Sequence, residues 1–258
     1  MPNFAANLTM LFTEHEPRDR FAAAAAAGFT AVEMQSPQDI GSPAEVATLV
    51  SDAGLRMVQL NIRPGDLGSG EPMLTANPHE VDAFAREIAT AAEYAGPLGV
   101  DVVTVHGGDR VDGTGFAQQI QTLTANLHAA ADVMAPHDVT VVLEVLNSHD
   151  RPSALLATQA DAAKVLAGVD RPNVGLQFDI YHAARMGDDP VETLQQHAAI
   201  VRHIQFADTP GRHEPGAGTL GFDEIFAAID HLGYDGWVSA EYRPSAATTA
   251  SLAWLAAG

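Results

Sequence analysis

The 258 residues carry 33 Asp and Glu against 13 Lys and Arg, and a formal charge of −20 argues against a nucleic-acid partner, whose phosphates need clustered cations. No cysteine is present, which excludes disulfides, thiolate metal sites and cysteine nucleophiles and fits a cytoplasmic location. Hydrophobic residues reach 47%, enough for a sizeable core, yet no apolar run of about 18 residues lacks charges or turn signals, so no membrane partner is expected.

The start, Met1-Pro-Asn-Phe-Ala-Ala-Asn, lacks the basic-then-apolar pattern of a secretory signal. From there eight strand candidates follow, at 4–9, 30–34, 56–61, 101–106, 139–145, 174–179, 201–206 and 237–242. Several are continuous β-branched runs, such as Val102-Val-Thr-Val105 and Val139-Thr-Val-Val142, which suit parallel strands covered by helices. Helix starts lie between them. Ser42-Pro43-Ala44-Glu45, Asn77-Pro78-His79-Glu80 and Asp189-Pro190-Val191-Glu192 each offer a cap, a first-turn proline and a glutamate. Helix stops recur as glycine before an apolar residue, at Gly28, Gly54, Gly99, Gly168 and Gly233. Alternating units of this kind in 258 residues predict a single-domain (β/α)₈ TIM barrel over 1–258. An open doubly wound sheet is the main alternative.

Four of the later strands close on a polar residue: Glu144, Asp179, Gln205 and Glu241. Groups at the carboxyl ends of neighbouring parallel strands converge on the usual active-site face of a barrel. Three carboxylates there repel one another unless a cation lies among them, and oxygen ligands suit a hard divalent ion. Period-two alternation puts Gln177, His203 and Ser239 one step below three of these residues, where they can orient them. Asn7, Glu33, Asn61 and His106 end the first four strands. His106 is a substrate-binding candidate because Gly107-Gly108 allows close approach, and Glu33 reads as structural. No glycine-rich phosphate signature follows any strand, so no nucleotide cofactor is expected. The single lysine, Lys164, falls in a helical stretch and reads as a surface residue.

Two segments after strand ends are rich in functional groups. Asp179-Ile-Tyr-His182 reads as a loop in which His182 can donate to a substrate oxygen. Asp208-Thr-Pro-Gly-Arg212-His213-Glu214-Pro-Gly216 carries Arg212, whose planar fork suits a carboxylate.

The chain resembles the hydroxypyruvate isomerase family of the xylose-isomerase-like barrels. The likeness rests on Phe4-Ala-Ala-Asn-Leu-Thr-Met-Leu-Phe-Thr-Glu14, Asp179-Ile-Tyr-His182, His203-Ile-Gln-Phe-Ala-Asp208 with Pro210-Gly-Arg-His-Glu-Pro-Gly216, and Gly233-Tyr-Asp-Gly-Trp-Val-Ser-Ala-Glu-Tyr-Arg-Pro244. The resemblance implies that Glu144, Asp179, Gln205 and Glu241 hold Mg²⁺ or Mn²⁺, and that Glu144 and Glu241 form the acid/base pair. It places His182 and Arg212 on the substrate. It also implies that hydroxypyruvate and tartronate semialdehyde interconvert by enediolate proton transfer. Related ketose 3-epimerases have histidine where Gln205 stands, which favours the hydroxypyruvate side; isomerisation of 2-oxo-tetronates, one carbon longer, and ketose 3-epimerisation are the alternatives within the superfamily. The segment Ile62–Pro72 departs from the family pattern and leaves the far end of the substrate open. Which glutamate acts first, and whether the chain forms a homo-oligomer, stay open. An abasic-site endonuclease shares the barrel but needs more zinc-binding histidines and a basic face. A non-catalytic sugar-binding barrel would not need both glutamates.

Overall fold

The computed structural model describes residues 1–66, 69 and 71–256; three residues of the departing segment, at 67, 68 and 70, lie outside that description. Eight parallel strands close into a barrel in chain order. They are β1 (Asn3–Asn7), β2 (Ala31–Met34), β3 (Arg56–Asn61), β4 (Val102–His106), β5 (Thr140–Glu144), β6 (Val174–Asp179), β7 (Val201–Phe206) and β8 (Trp237–Ala240). Strand β1 pairs with β8 from Asn3 opposite Trp237 to Ala6 opposite Ala240, which closes the ring. The (β/α)₈ expectation is met, and no open sheet forms.

Helices α1 (Arg20–Ala26), α2 (Pro43–Asp52), α3 (Val81–Leu98), α4 (Phe116–Met134) and α5 (Gln159–Leu166) surround the first half. Helices α6 (Ile180–Arg185), α7 (Pro190–His197), α8 (Phe222–His231) and α9 (Ala253–Ala256) complete it. None of the described helices is long and apolar enough to cross a membrane. Outward-facing strand residues meet the helices in the core. Phe4 of β1 and Phe206 of β7 pack edge-on against Trp254 of α9 at 5.1 and 5.0 Å between ring centres.

The capping signals acted at two of the three positions. Ser42 forms a full capping box with Glu45, and Asp189 accepts from the backbone N–H groups of Val191 and Glu192. Asn77 does not start a helix. Its Oδ1 accepts from His79 N, and α3 begins only at Val81. The preceding turn is held elsewhere: Asn126 of α4 donates to the Thr75 carbonyl at 2.9 Å. Four of the five stop glycines have positive φ, as that role requires; Gly168 does not. Lys164 is a surface residue paired with Asp161.

Candidate active site

The inside of the barrel is polar, and its hydrogen bonds run one way. Gln59 of β3 donates to Thr104 of β4 at 2.6 Å, and Thr104 donates to Gln177 of β6 at 2.6 Å. Gln177 donates to the Gln205 carbonyl of β7 at 2.5 Å, and the Gln205 amide donates to Glu33 of β2 at 2.7 Å. Glu33 also accepts from His203 and from Asn7, each at 2.7 Å. All of these side chains are buried. Burial by itself would raise the Glu33 pKa, but the hydrogen bond and charge of His203 and the hydrogen bonds of Ser239 and Asn7 together outweigh it, and Glu33 is held below its ordinary value. The chain of donors therefore ends on an ionised carboxylate.

Above this layer stand the strand ends. Glu144 closes β5 and Asp179 closes β6; Glu241 directly follows β8. One ligand atom each from Glu144, Asp179 and His182 lies within 4.8 Å of the others. Glu241 Oε1 accepts from Asn7 at 3.0 Å and from Gln35 at 2.8 Å, and its Oε2 pairs with the Arg212 guanidinium. Arg212 also lies 3.6 Å from Asp179 Oδ2. It occupies a left-handed backbone position, φ 55°, and sits 5.0 Å from the Tyr181 ring centre. The structure thus brings together six of the seven expected site residues around the carboxylates: Glu144, Asp179, Glu241, His182, Arg212 and His106, the last with Nε2 3.4 Å from Glu144 Oε2. Gln205 stands one strand over from Asp179, in register with it. Its carbonyl already accepts from Gln177, which leaves one lone pair free.

Crowding and desolvation set the protonation. Burial raises Glu144 well above its ordinary value, and the charges of Glu241 and Asp179 raise it further. Burial pushes Glu241 up to about 7 against the opposing pull of Arg212. Asp179 is raised by burial too, again opposed by Arg212. Burial lowers His106 to about 4, with the charge of Arg151 adding, and it lowers His182 well below the usual range, with Arg212 adding. Both rings are therefore neutral at pH 7.

These residues fit a divalent cation. Asp179 Oδ2 is buried without a hydrogen-bond partner, and Asp179, Glu144 and Glu241 are all carboxyl groups of raised pKa. Oxygen donors in that arrangement suit a hard ion, which would also hold the carboxylates ionised. The cluster opens into a cavity of about 1140 Å³ whose lining includes Arg63, Arg212 and Arg243. Five carboxylates line the same space, Asp39, Asp66, Glu87, Glu144 and Glu241, so the arginines offset negative charge there.

Several supporting residues do not stand out in the sequence. Gln35 grips Glu241 from the end of β2. Asp208 organises the Arg212 loop by accepting the N–H groups of Thr209, Gly216, Gly218 and Leu220. Asn147 touches His182 from the loop after β5. Their spacing of one to three residues beyond a strand end is the only signal. Asp179-Ile-Tyr-His182 is not a loop: Asp179 caps α6, accepting from Tyr181 N at 2.7 Å and His182 N at 3.3 Å, and His182 lies in the first turn. The glycines after His106 make room for neighbouring protein, since a Cβ on Gly108 would meet Ala76 Cβ at 2.5 Å.

The profile of the xylose isomerase-like TIM barrel family matches residues 21–258. The 2-oxo-tetronate isomerase of Cupriavidus necator is 41% identical, with 99% of this chain and 98% of that protein aligned. The hydroxypyruvate isomerase of Escherichia coli is 34% identical over 99% of this chain and 98% of its own. The crystal structure of an AP endonuclease, family 2, from Brucella melitensis has a TM-score of 0.95 and 35% identity, covering 100% of this chain and 99% of that one. The barrel, the converging carboxylates and these full-length likenesses agree: the chain is an isomerase and belongs to the xylose isomerase-like TIM barrel family.

Proposed function

We propose that the protein moves a carbonyl between adjacent carbons of a small 2-oxo-3-hydroxy acid, with 2-oxo-tetronate as the substrate and Mg²⁺ or Mn²⁺ as the cofactor. The observation that carries this reading is the pair Glu144 and Glu241. Two buried carboxylates from the ends of β5 and β8 share one cluster with Arg212, and each can take and return a proton. One removes the proton from C3; the electron pair forms the enediolate; the proton of the C3 hydroxyl passes to the C2 oxygen; the other glutamate protonates C2. The carbonyl then stands at C3, and no atom is gained or lost. Glu144, Asp179, Gln205 and Glu241 would hold the cation, which supplies polarisation of the carbonyl and stabilisation of the negative charge that develops.

The chain's own residues do the rest. Arg212 keeps a buried Nε–H without a partner, and this donor beside the guanidinium charge suits the substrate carboxylate. His182 and His106, both neutral, present ring nitrogens to the same cavity. Asn7 and Gln35 fix one oxygen of Glu241, and the Arg212 guanidinium holds the other. The guanidinium of Arg212, with that unpartnered donor, favours an acid over a neutral ketohexose. The balance of charge, −20 overall, speaks against the DNA backbone as substrate.

Hydroxypyruvate is the second reading, because it carries the same 2-oxo-3-hydroxy unit on three carbons and a relative of that name aligns end to end. The higher identity to the tetronate enzyme, 41% against 34%, supports reading the longer acid first. The test is a panel of 2-oxo-tetronate, hydroxypyruvate and a ketohexose, run after chelation and after adding back Mg²⁺ or Mn²⁺. Turnover of the tetronate that vanishes with chelator and returns with metal is expected. Turnover of ketohexose alone would overturn the acid reading, and undiminished turnover in verified metal-free protein would overturn the cofactor.

A further inference from the structure

His182 is one of the three residues whose ligand atoms cluster closely enough for a metal, and by distance alone it qualifies as a ligand. The hydrogen bonds behind the ring say otherwise. The backbone N–H of Asn147 donates to His182 Nδ1 at 3.1 Å, and the Asn147 side chain lies 2.7 Å from the same nitrogen. The amide orientation of Asn147 is set independently. Its Oδ1 accepts from His149 N at 3.1 Å and Asp150 N at 2.9 Å, and its Nδ2 donates to Asp150 Oδ2 at 3.0 Å. Asp150 is itself fixed by the Tyr181 hydroxyl at 2.8 Å. The atom facing His182 is therefore the amide nitrogen, a donor.

A ring nitrogen that faces two N–H groups carries no proton. The proton of a neutral imidazole then sits on Nε2, and an imidazolium, with protons on both nitrogens, does not fit. Nε2 is buried, has no hydrogen-bond partner, and lies 3.6 Å from Asp179 Oδ2 and 3.9 Å from Glu144 Oε1. A metal-bound histidine shows the opposite pattern: its outer nitrogen donates to an acceptor, which leaves the inner one bare for the ion.

We propose that Asn147 is a positioning residue: its backbone and side-chain N–H groups lock His182, already read above as a substrate-side residue, in the neutral Nε2–H tautomer, so that the nitrogen facing the cluster is a donor and not a ligand of the cation. This rests on the isomerase site proposed above. It assigns proton transfer to the glutamates alone: a ring locked in this form has no vacant nitrogen on the reaction side to act as a base. Its donor instead strengthens as negative charge builds on the enediolate oxygen.

The test reads the tautomer directly. Full-length protein labelled with ¹⁵N-histidine is examined by long-range ¹H–¹⁵N NMR, with His182→Gln identifying the ring, between pH 5.5 and 8.5, with and without Mg²⁺. The expected result is a bare Nδ1 and a protonated Nε2 at every pH, the Nε2 proton surviving saturation with Mg²⁺. A protonated Nδ1, an imidazolium, or loss of the Nε2 proton on adding Mg²⁺ overturns the proposal. Asn147→Asp replaces the side-chain donor with an acceptor and should admit a form protonated on Nδ1, seen as a titration absent from the native protein. If that variant does not fold, Asn147→Ala should admit the same form as a detectable fraction. A ring unchanged in whichever variant folds overturns the role of Asn147. Activity on the acid panel is recorded on the same native sample. Inactivity with the expected tautomer sinks the isomerase reading, and with it the donor role of His182, whereas activity with the wrong tautomer sinks only this inference.

Discussion

In metal-free protein, Glu241→Gln should be stabilising at pH 8 and close to neutral at pH 5. Glu241 is buried and its pKa stands at about 7 against an ordinary 4.5. A carboxyl group raised on folding contributes stability that is present below the unfolded value and is lost as pH rises through the folded one. The window is therefore pH 4.5 to 7. A shift from 4.5 to about 7, at about 1.4 kcal/mol per unit, corresponds to about 3 kcal/mol lost by the native chain. Glutamine is nearly isosteric and has no proton to lose, so it escapes that loss, while Asn7 and Gln35 can still donate to its carbonyl oxygen. His106 and His182 act in the opposite sense. Their depressed pKa values add stability as pH rises towards 6.5, so the native protein alone would show a partly cancelled slope. Comparing the two proteins at the same pH removes the histidines from the difference. The assay is urea unfolding in the presence of chelator at pH 5 and pH 8. A variant up to about 3 kcal/mol more stable than the native chain at pH 8, and equal to it at pH 5, is expected. Mn²⁺ should close the gap by stabilising the native protein more. A variant no more stable at pH 8 than the native chain would refute the view that this carboxylate is held at a cost.

Glu144→Gln and Glu241→Gln should each lower turnover at least about 100-fold, with the circular dichroism spectrum retained, and native turnover in D₂O should place deuterium at the carbon that gains hydrogen. Full activity in either variant, with the substrate hydrogen carried across intact, would dismiss the two-glutamate route. Arg212→Ala should raise KM for the acidic substrate by the equivalent of about 2–5 kcal/mol and leave a neutral sugar less affected; equal, negligible changes on both would remove Arg212 from carboxylate binding. Gly108→Ala should lower Tm, by about 1–3 kcal/mol in stability, because φ is +82° and the added Cβ would lie 2.5 Å from Ala76 Cβ. An unchanged Tm would show that the turn of residues 74–77 can yield.

The barrel was legible because its signals repeat. Strands buried on both faces read as apolar runs, and their carboxyl ends appear where a polar residue breaks the run, as at Glu144 and Asp179. Alternation then identified Gln177 and His203 beneath the site, and both prove to be buried there and hydrogen-bonded. What escaped depends on contacts between distant segments. Asn77 has the side chain of a helix cap, yet α4 holds the adjoining turn through Thr75, so the helix starts at Val81. Asn147 lies 35 residues from His182, and nothing in its local sequence says that an imidazole will meet its amide. The direction of the hydrogen-bond chain was equally hidden, because spacing places glutamines but does not orient them.

That direction links the interior to the chemistry. Each amide in the series from Gln59 to Gln205 gives its protons onward, so the terminal Glu33 accepts, and His203 beside it favours its ionised form. An ionised carboxylate beneath the cluster adds negative charge where there is already too much, and it raises the pKa of Glu144, Asp179 and Glu241. A barrel filled with aliphatic residues would be free of that repulsion, but its strand-end carboxylates would feel only burial and one another. Here the repulsion is shared between Arg212 and whatever cation or proton the cluster takes up. The same residues that make the interior costly therefore give the site its demand for positive charge and its readiness to hold a proton, which are the two properties an acid-base isomerisation uses.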